Sequence, residues 1–294
     1  IPTVIAQLIN MLYNVVDRIY IGHIPGEGSL ALTGVGVCMP IIMIVTAFAA
    51  LISSGGAPRA SICMGKQDNK SAEQILGNCF SLQIVVSIVL TVVLLIWNKD
   101  LLMVFGASKN TLGYATDYMR IYALGTLFVQ LTLGMNAFIT AQGFTTTSMV
   151  SVLIGAICNI TLDPVFIFVF NMGVKGAALA TVIAQTLASA YCLWKLYRIE
   201  VLAEKRKAAK WRLHAGLCGK LIYLGLPMAF QNLVIAIGGM IVQTVVNSFG
   251  VAFIAGYTAT CKLYGILEVA ATSYGFAMVT YAGQNLGAGK TDRI

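Results

Sequence analysis

The 294-residue sequence has few charged side chains. Asp, Glu, Lys and Arg together make up 10% of it, whereas hydrophobic residues make up 58%. An ordinary soluble domain carries roughly 25% charged residues. The mean hydropathy of +0.84 agrees with this shortage of charge. The composition therefore excludes a soluble globular domain and predicts a membrane protein.

Alternation of apolar and polar residues with a period of two is also lacking, which argues against a transmembrane β-barrel. The apolar residues instead form eight runs of the length that crosses a bilayer as a helix, about 20 residues. We therefore predict an all-α, polytopic membrane protein. Its predicted spans lie near residues 1–22, 34–56, 73–97, 112–142, 147–170, 176–197, 219–248 and 251–283.

Residue sets for metal binding or catalysis are missing as well. The seven cysteines are scattered without a C-x-x-C pair, so neither a disulfide framework nor a zinc site is predicted. The two histidines, His23 and His214, do not combine with a nucleophile and an orienting acid. We expect no enzymatic activity and no organic cofactor.

Lysine and arginine residues are unevenly distributed along the chain. If the first span runs outward, the loops on one side hold the basic clusters at 59–70, 195–220 and 290–293, whereas the other side holds only Lys99, Lys109 and Lys175. By the positive-inside rule, the richer side is cytoplasmic. The net charge of +8 then reflects the topology of the chain in the membrane. We expect the chain to contact the lipid bilayer and not to bind nucleic acid.

An internal repeat pairs the first two spans with the last two. "IPTVIAQLI" is similar to "LPMAFQNLV", and "MGKQD" is similar to "LGAGKTD", which matches Gly65 with Gly287. The repeat predicts two six-helix bundles: an N-lobe at 1–198, a basic cytoplasmic linker at 199–218, and the first two helices of a C-lobe at 219–294. On this interpretation the chain is a piece of a twelve-helix protein, a plan common in secondary transporters.

Polar side chains recur at helical spacing within three of the spans. Residues three or four apart lie on one helical face. The stripes comprise Gln7, Asn10, Asn14 and Asp17 in the first span, Ser151, Asn159 and Asp163 in the fifth, and Thr181, Gln185 and Ser189 in the sixth. Interhelical packing explains some of these residues, but it does not explain the two acids.

An ionised carboxylate at the centre of a membrane helix costs on the order of 3 kcal/mol, and no intramembrane base stands at helical spacing to pair with Asp163. Pro164 predicts a bend that frees a backbone carbonyl, and Asn159 lies one turn before the acid. These residues predict either a carboxylate that takes up and releases a proton or a Na⁺ site with oxygen ligands. The sequence alone leaves both ions open.

Five motifs are distributed along the chain: "LYNVVDRIYIGH", "MGKQD", "NAFITAQG", "NITLDPVFIF" and "GAALATVIAQ". Together they resemble the multidrug and toxic compound extrusion family, with a pattern closer to its DinF-like branch, and the similarity covers essentially the whole chain. The resemblance implies a twelve-helix, two-lobe antiporter of the cell membrane. Such a transporter exports organic cations or drugs in exchange for H⁺ or Na⁺.

The resemblance also implies individual roles. Asp17 and Asp163 would be the coupling acids, with Asn159 and Thr181 as their partners, and these four residues would hold Na⁺ if Na⁺ is the coupling ion. Pro2 and Pro164 would bend their helices. Residues that we predict to line the substrate cavity are Gln7, Asn10, Tyr13, Asn14, Asn136 and Gln185.

A flippase for lipid-linked saccharides, with a similar two-lobe architecture, is the alternative function. Such a protein would need a basic cavity to bind pyrophosphate, whereas the predicted N-lobe spans contain almost no basic residue. We therefore expect small-molecule organic cations as substrates of a multi-pass protein of the cell membrane that acts as a monomer.

Overall fold

The computed structural model describes residues 2–198, 214–249 and 251–294. These residues form long helices joined by short turns, and no strand occurs among them. In chain order the helices are α1 (Pro2–Gly22), α2 (Gly28–Gly65), α3 (Asn69–Ile96), α4 (Asn98–Val104), α5 (Leu112–Ala141), α6 (Thr145–Pro164), α7 (Val174–Arg198), α8 (Ala215–Asn247) and α9 (Val251–Gly287). A π-helical segment, Val165–Val169, extends α6, and a 3₁₀ turn, Thr291–Arg293, follows α9. The prediction of an all-α fold is confirmed.

Among the described residues, six helices are long and apolar enough to cross a membrane: α2, α3, α5, α6 with its π-helical extension, α7 and the first part of α8, Ala215–Ile235. The first and eighth predicted spans correspond to α1 and α9, which are not among these six. In α1, the apolar residues are interrupted by polar ones that lower the mean hydropathy: Gln7, Asn10, Asn14, Asp17 and Arg18. The property that marks α1 as a candidate functional helix therefore also weakens its signal as a membrane span.

The helices extend beyond several of the apolar runs that predicted them. α2 continues to Gly65, although the second predicted span ends at residue 56, and Pro40 and Pro58 lie inside it. An apolar run marks only the part of a helix that lies in the bilayer, so a prediction from apolar runs does not include the polar ends of the helix. The short helix α4 was not predicted. Most of the predicted linker, residues 199–213, lies outside the described residues, and α8 begins at Ala215.

α5 forms the centre of the first six long helices and packs against α2, α3 and α7. Small residues permit this close packing. A Cβ atom on Gly125 would overlap the side chain of Val182 in α7. α1 lies beside α6, and α6 lies beside α7, so the three helices with polar stripes are consecutive neighbours. This arrangement brings their polar faces together.

α3 begins with a side-chain cap outside the membrane-spanning segment. The Asp68 carboxylate accepts a hydrogen bond from the backbone N–H of Ser71 at 3.1 Å. Because the Ser71 side chain and then this backbone bond favour the ionised form, the pKa of Asp68 lies below its usual range. The cap satisfies one of the unpaired N–H groups at the helix start and fixes the turn between α2 and α3.

Candidate functional site

The candidate site begins at the end of α6, where Asp163 is fully buried and directly precedes Pro164. Proline has no N–H and its ring crowds the preceding turn, so regular α-helix ends at Pro164. Residues Val165–Val169 continue as a π-helical segment, a widened helix that is frequent at functional sites. The bend that Pro164 predicted in this helix therefore corresponds to a change from α-helix to π-helix at Pro164.

The side chains of four predicted residues meet between α1, α6 and α7. Asn159 donates hydrogen bonds from Nδ2 to Asp163 Oδ1 at 3.2 Å and to Thr181 Oγ1 at 3.3 Å. The Asp17 carboxyl lies next to the Asp163 carboxyl, close enough for the two groups to interact directly. We call Asp17, Asn159, Asp163 and Thr181 the acid cluster.

Several oxygens of the acid cluster have no donor. Asp17 Oδ1, Asn159 Oδ1 and Asp163 Oδ2 are buried and make no hydrogen bond. Buried polar atoms are normally paired, and an unpaired one costs about 1–3 kcal/mol. Three unpaired oxygens in one cluster therefore indicate a place where a proton or a cation binds.

A basic side chain does not neutralise either acid. Within the part of the chain that the structure describes, the one ion pair joins Lys175 Nζ to Asp117 at 3.4 Å, away from the cluster. Arg18 follows Asp17 in sequence and its charge acts on the Asp17 carboxyl at a distance, but its guanidinium is directed to the sulfur of Met39 in α2 at 3.3 Å and forms no ion pair with the acid. The acid cluster thus lacks a permanent counterion among the described residues.

Sequence reasoning missed a pair of tyrosines, of which Tyr118 borders the cluster and Tyr122 stacks on Tyr118. Tyr118 and Tyr122 in α5 are buried and stack with their ring centroids 6.2 Å apart. The Tyr118 side chain lies beside Thr181 and Asp17. Their spacing of four residues within an apolar span was the available signal, because it places both rings on one face of the helix.

The other polar residues of α1 lie outside the cluster. Asn10 and Asn14 are exposed, Gln7 and Tyr13 are partly buried, and only Asp17 is buried. The Asn14 amide donates to the Asn10 carbonyl of its own helix at 2.6 Å. The stripe thus points Asp17 into the bundle and leaves the two asparagines on an open surface. Pro2 is the first described residue of α1, so its predicted bend stays a prediction.

Asn136 and Gln185 are not brought into the cluster. Asn136 lies 18 residues after Tyr118 in α5, which places it about 27 Å further along the helix. Gln185 lies one turn beyond Thr181 in α7. Each has a buried side-chain oxygen without a hydrogen-bond donor, so each remains a candidate for binding a polar ligand group.

The acid cluster lies near one end of the bundle. Asp17 is five residues from the end of α1, a distance of about 8 Å along the helix, and Asp163 closes α6. By the distribution of basic residues, this end faces away from the cytoplasm. Two carboxylates are acceptors only, so a hydrogen bond between them requires a proton. The arrangement is suited to binding one proton or one small cation at a time.

Comparison with known proteins identifies a family and related sequences. The sequence model of the MatE family matches residues 2–165 and 227–294. The multidrug export protein MepA of Staphylococcus haemolyticus (strain JCSC1435) is 25% identical over 99% of this chain and 64% of its own length. The probable multidrug resistance protein YpnP of Bacillus subtilis (strain 168) is 26% identical over the whole chain and 65% of its own length. The chain spans just under two thirds of the length of these relatives.

Solved structures share the fold. A MATE protein in a straight conformation superposes with a TM-score of 0.90 at 21% identity, over 99% of this chain and 65% of that one. A MOP superfamily transporter from Pyrococcus furiosus gives a TM-score of 0.89 at 22% identity, over 99% and 64%. An outward-facing MATE family transporter gives 0.89 at 21%, over 99% and 64%.

These matches confirm the family resemblance that the motifs indicated. They also confirm the predictions of a two-lobe transporter fold, of a multi-pass protein of the cell membrane, and of a protein that is not an enzyme.

Proposed function

The chain belongs to the MatE family, and from that premise we propose that it is part of a secondary active antiporter that exports organic cations in exchange for H⁺ or Na⁺. The acid cluster is the proposed coupling site. The relatives named for multidrug export and multidrug resistance support this class of substrate.

The observation that carries the proposal is the contact between the Asp17 and Asp163 carboxyl groups inside the bundle. Two ionised carboxylates at this separation would repel each other, and both would be out of water. The contact is stable when the pair holds a proton. When the pair loses the proton, it attracts any cation that reaches it. The same site therefore binds either a proton or a cation, but not both at once.

Exclusive occupancy provides the coupling. If a cationic substrate and a proton compete for the same pair of acids, binding of one lowers the affinity for the other by the same factor in both directions. A site that opens alternately to each side then releases substrate when protons enter from outside. The position of the cluster toward the outer end suits proton entry from that side.

H⁺ is the first candidate for the coupling ion, because direct contact between two carboxyl groups calls for a proton. The unpaired oxygens of Asp17, Asn159 and Asp163 favour Na⁺ as the second candidate, since hard cations bind carboxylate and amide oxygens. Thr181 Oγ1 would be a further ligand for Na⁺. The two ions predict different responses to imposed gradients.

The aromatic rings beside the acids fit an organic cation. Tyr118 and Tyr122 present stacked rings, and the face of an aromatic ring attracts cations within about 6 Å. Such contacts accept many shapes, which suits a transporter of several drugs. Since both acids come from a single bundle, we propose that one monomer forms a complete coupling site.

The experiment uses the full-length protein in everted membrane vesicles, with ethidium as the substrate. In one arm, the vesicle lumen is more acidic than the medium and Na⁺ is absent. In the other arm, the lumen contains more Na⁺ than the medium and the pH is equal on both sides. We expect the pH gradient to drive ethidium into the vesicles. Uptake driven only by Na⁺ would shift the proposal to sodium coupling, and uptake in neither arm would overturn ion-driven export.

A further inference from the structure

The two repeats meet through close backbone contacts at one end of the molecule. A Cβ atom on Gly55 of α2 would overlap the backbone of Leu221 and Gly225 in α8, and one on Gly225 would overlap the Leu51 carbonyl. These residues lie in the half of α2 that leads to the basic cluster at 59–70. The contact is therefore at the cytoplasmic end, opposite the acid cluster.

The contact between α2 and α9 is symmetric with respect to the internal repeat. Gly65 and Gly287 are equivalent in the two copies, and so are Ile62 and Gln284, which precede them by three residues. A Cβ atom on Gly65 would overlap the Gln284 carbonyl, and one on Gly287 would overlap the Ile62 carbonyl. Each copy thus presents its glycine to the same backbone position of the other.

Side-chain hydrogen bonds accompany this contact at the end of α5. The Ala141 carbonyl accepts from Ser61 Oγ of α2 at 3.2 Å and from Gln284 Nε2 of α9 at 3.0 Å. A helix end leaves its last carbonyls unpaired, and here the Thr145 N–H donates to the Gly143 carbonyl instead of to Ala141. We call Ser61, Ala141 and Gln284 the Ala141 clamp.

A second hydrogen-bonded contact attaches α8 to the first repeat. The Asn78 side-chain oxygen of α3 accepts from the backbone N–H of His214 at 2.8 Å, and the Cys218 thiol donates to the same oxygen at 3.5 Å. Both Asn78 and Cys218 are buried. The first turn of α8 therefore gains a capping partner from α3, and separating the repeats would expose the Cys218 thiol.

The hydrogen bonds of the Ala141 clamp allow the two repeats to separate and come together again. A carbonyl has two lone pairs, and its two donors come from different repeats. If the repeats part, Ala141 keeps the bond from Ser61, which belongs to the same repeat as α5, and loses only the bond from Gln284. Water at the cytoplasmic surface then solvates the free amide. Separation leaves no buried group without a partner at this point.

We propose that Gln284 is a positioning residue that holds the cytoplasmic ends of the two repeats together, and that transport requires its bond to Ala141 to break. This inference rests on the proposed transport function, because only alternating access requires the ends to separate. Gln284 touches neither the acid cluster nor its tyrosines, so it acts on the equilibrium between closed and open ends.

The test measures exposure of the Cys218 thiol in the full-length protein. Variants retain Cys218 as the single cysteine and are labelled with a membrane-impermeant maleimide in everted vesicles, which present the cytoplasmic side. Gln284→Met keeps the length of the side chain and removes the donor. We expect labelling to become about three- to tenfold faster, the effect of losing one hydrogen bond of ordinary strength.

Two controls separate positioning from general loss of structure. The Asn285 amide donates within α9, to the Tyr281 carbonyl at 2.9 Å, so Asn285→Leu should leave Cys218 labelling unchanged. A second set of proteins retains only Cys192, which is buried inside the first repeat. This thiol should stay slow to react in the Gln284→Met protein.

An unchanged Cys218 rate in Gln284→Met would overturn the proposal, and so would faster labelling of both Cys218 and Cys192, since that result indicates a loosened bundle. The measurement needs no substrate and no ion gradient. Failure of ion-driven export in the vesicle assay would therefore be distinguishable from failure of the clamp.

Discussion

The acid cluster and the Ala141 clamp, at opposite ends of the first repeat, use their buried oxygens in opposite ways. At the outer end, the acid cluster leaves oxygens of Asp17, Asn159 and Asp163 without donors. At the cytoplasmic end, the Ala141 carbonyl receives two donors. An unpaired buried oxygen gains free energy when a proton or cation arrives, whereas a fully paired carbonyl gains nothing from a ligand. The acid cluster is therefore suited to binding, and the Ala141 clamp is suited to holding helices together.

The comparison also separates side-chain from backbone chemistry. The acid cluster depends on four side chains from three helices, so a single isosteric substitution should change its affinity and leave the fold intact. The cytoplasmic contact depends on glycines whose Cβ atoms would overlap a neighbouring backbone, so added volume should change the position of whole helices. Substitutions in the acid cluster should thus change ion affinity, whereas substitutions at the glycine contacts should change helix packing.

The largest effect is expected from Asp163→Asn in the full-length protein. The amide keeps the shape of the carboxyl group but does not bind a proton, so ion-driven ethidium uptake into everted vesicles should be abolished while expression remains normal. Asp17→Asn should behave alike. Asp117→Asn is the matched control, because Asp117 pairs with Lys175 outside the cluster. Normal uptake by Asp163→Asn would remove the coupling role.

The next effect is expected from Gly287→Ala. The new methyl group would overlap the Ile62 carbonyl, and overpacking of a close contact costs about 1–3 kcal/mol. The closed cytoplasmic contact should become less populated, which accelerates Cys218 labelling and slows transport. Gly275→Ala is the control on the same helix, since a Cβ atom there meets no atom within 4 Å. Equal labelling of the two variants would argue against a closed contact at Gly287.

A smaller effect is expected from Thr181→Ala. Asn159 would lose one acceptor, and its amide would no longer be fixed beside Asp163. Loss of one hydrogen bond predicts about a fivefold decrease in transport rate, with a shifted pH profile. Thr181→Ser retains the hydroxyl and should restore both properties. Failure of serine to restore them would mean that the methyl group of Thr181, and not its hydrogen bond, is important.

The smallest effect is expected from Tyr118→Phe. The stacked ring beside Tyr122 remains, and only the hydroxyl beside Thr181 is lost. We expect a decrease of less than about fivefold in the rate of ethidium uptake, with substrate range unchanged. A complete loss of uptake in this variant would place Tyr118 among the groups that move the proton.

Local pattern sufficed to predict much of the acid cluster. The four-residue spacing of Asn159 and Asp163 placed them on one face, and the structure joins them by a hydrogen bond. Asp17 and Thr181 come from other helices, and the polar stripes indicated which of their faces would meet. The functional roles of these residues remain predictions.

Other features depend on contacts between distant parts of the chain. The bond from Asn78 to the His214 N–H joins residues that are far apart in sequence, and nothing in the local pattern of either residue indicates it. The same holds for Gln284 and Ala141. Asn136 shows a related limit of local pattern: it lies far along α5 from the acids, and its role in the substrate cavity stays a prediction. Sequence periodicity shows on which face of a helix a residue lies. It does not show how far along the helix axis that residue lies relative to residues of another helix.

The most direct measurement is proton release when a substrate binds. Purified full-length protein in weakly buffered detergent solution is mixed with tetraphenylphosphonium, and a pH-sensitive dye reports the protons released. If Asp17 and Asp163 hold a proton that the cation displaces, the wild-type protein should release protons on binding, and the protein with both Asp17→Asn and Asp163→Asn should release none. Equal release from the two proteins, or cation binding by the wild type without any release, would contradict competition for the acid cluster.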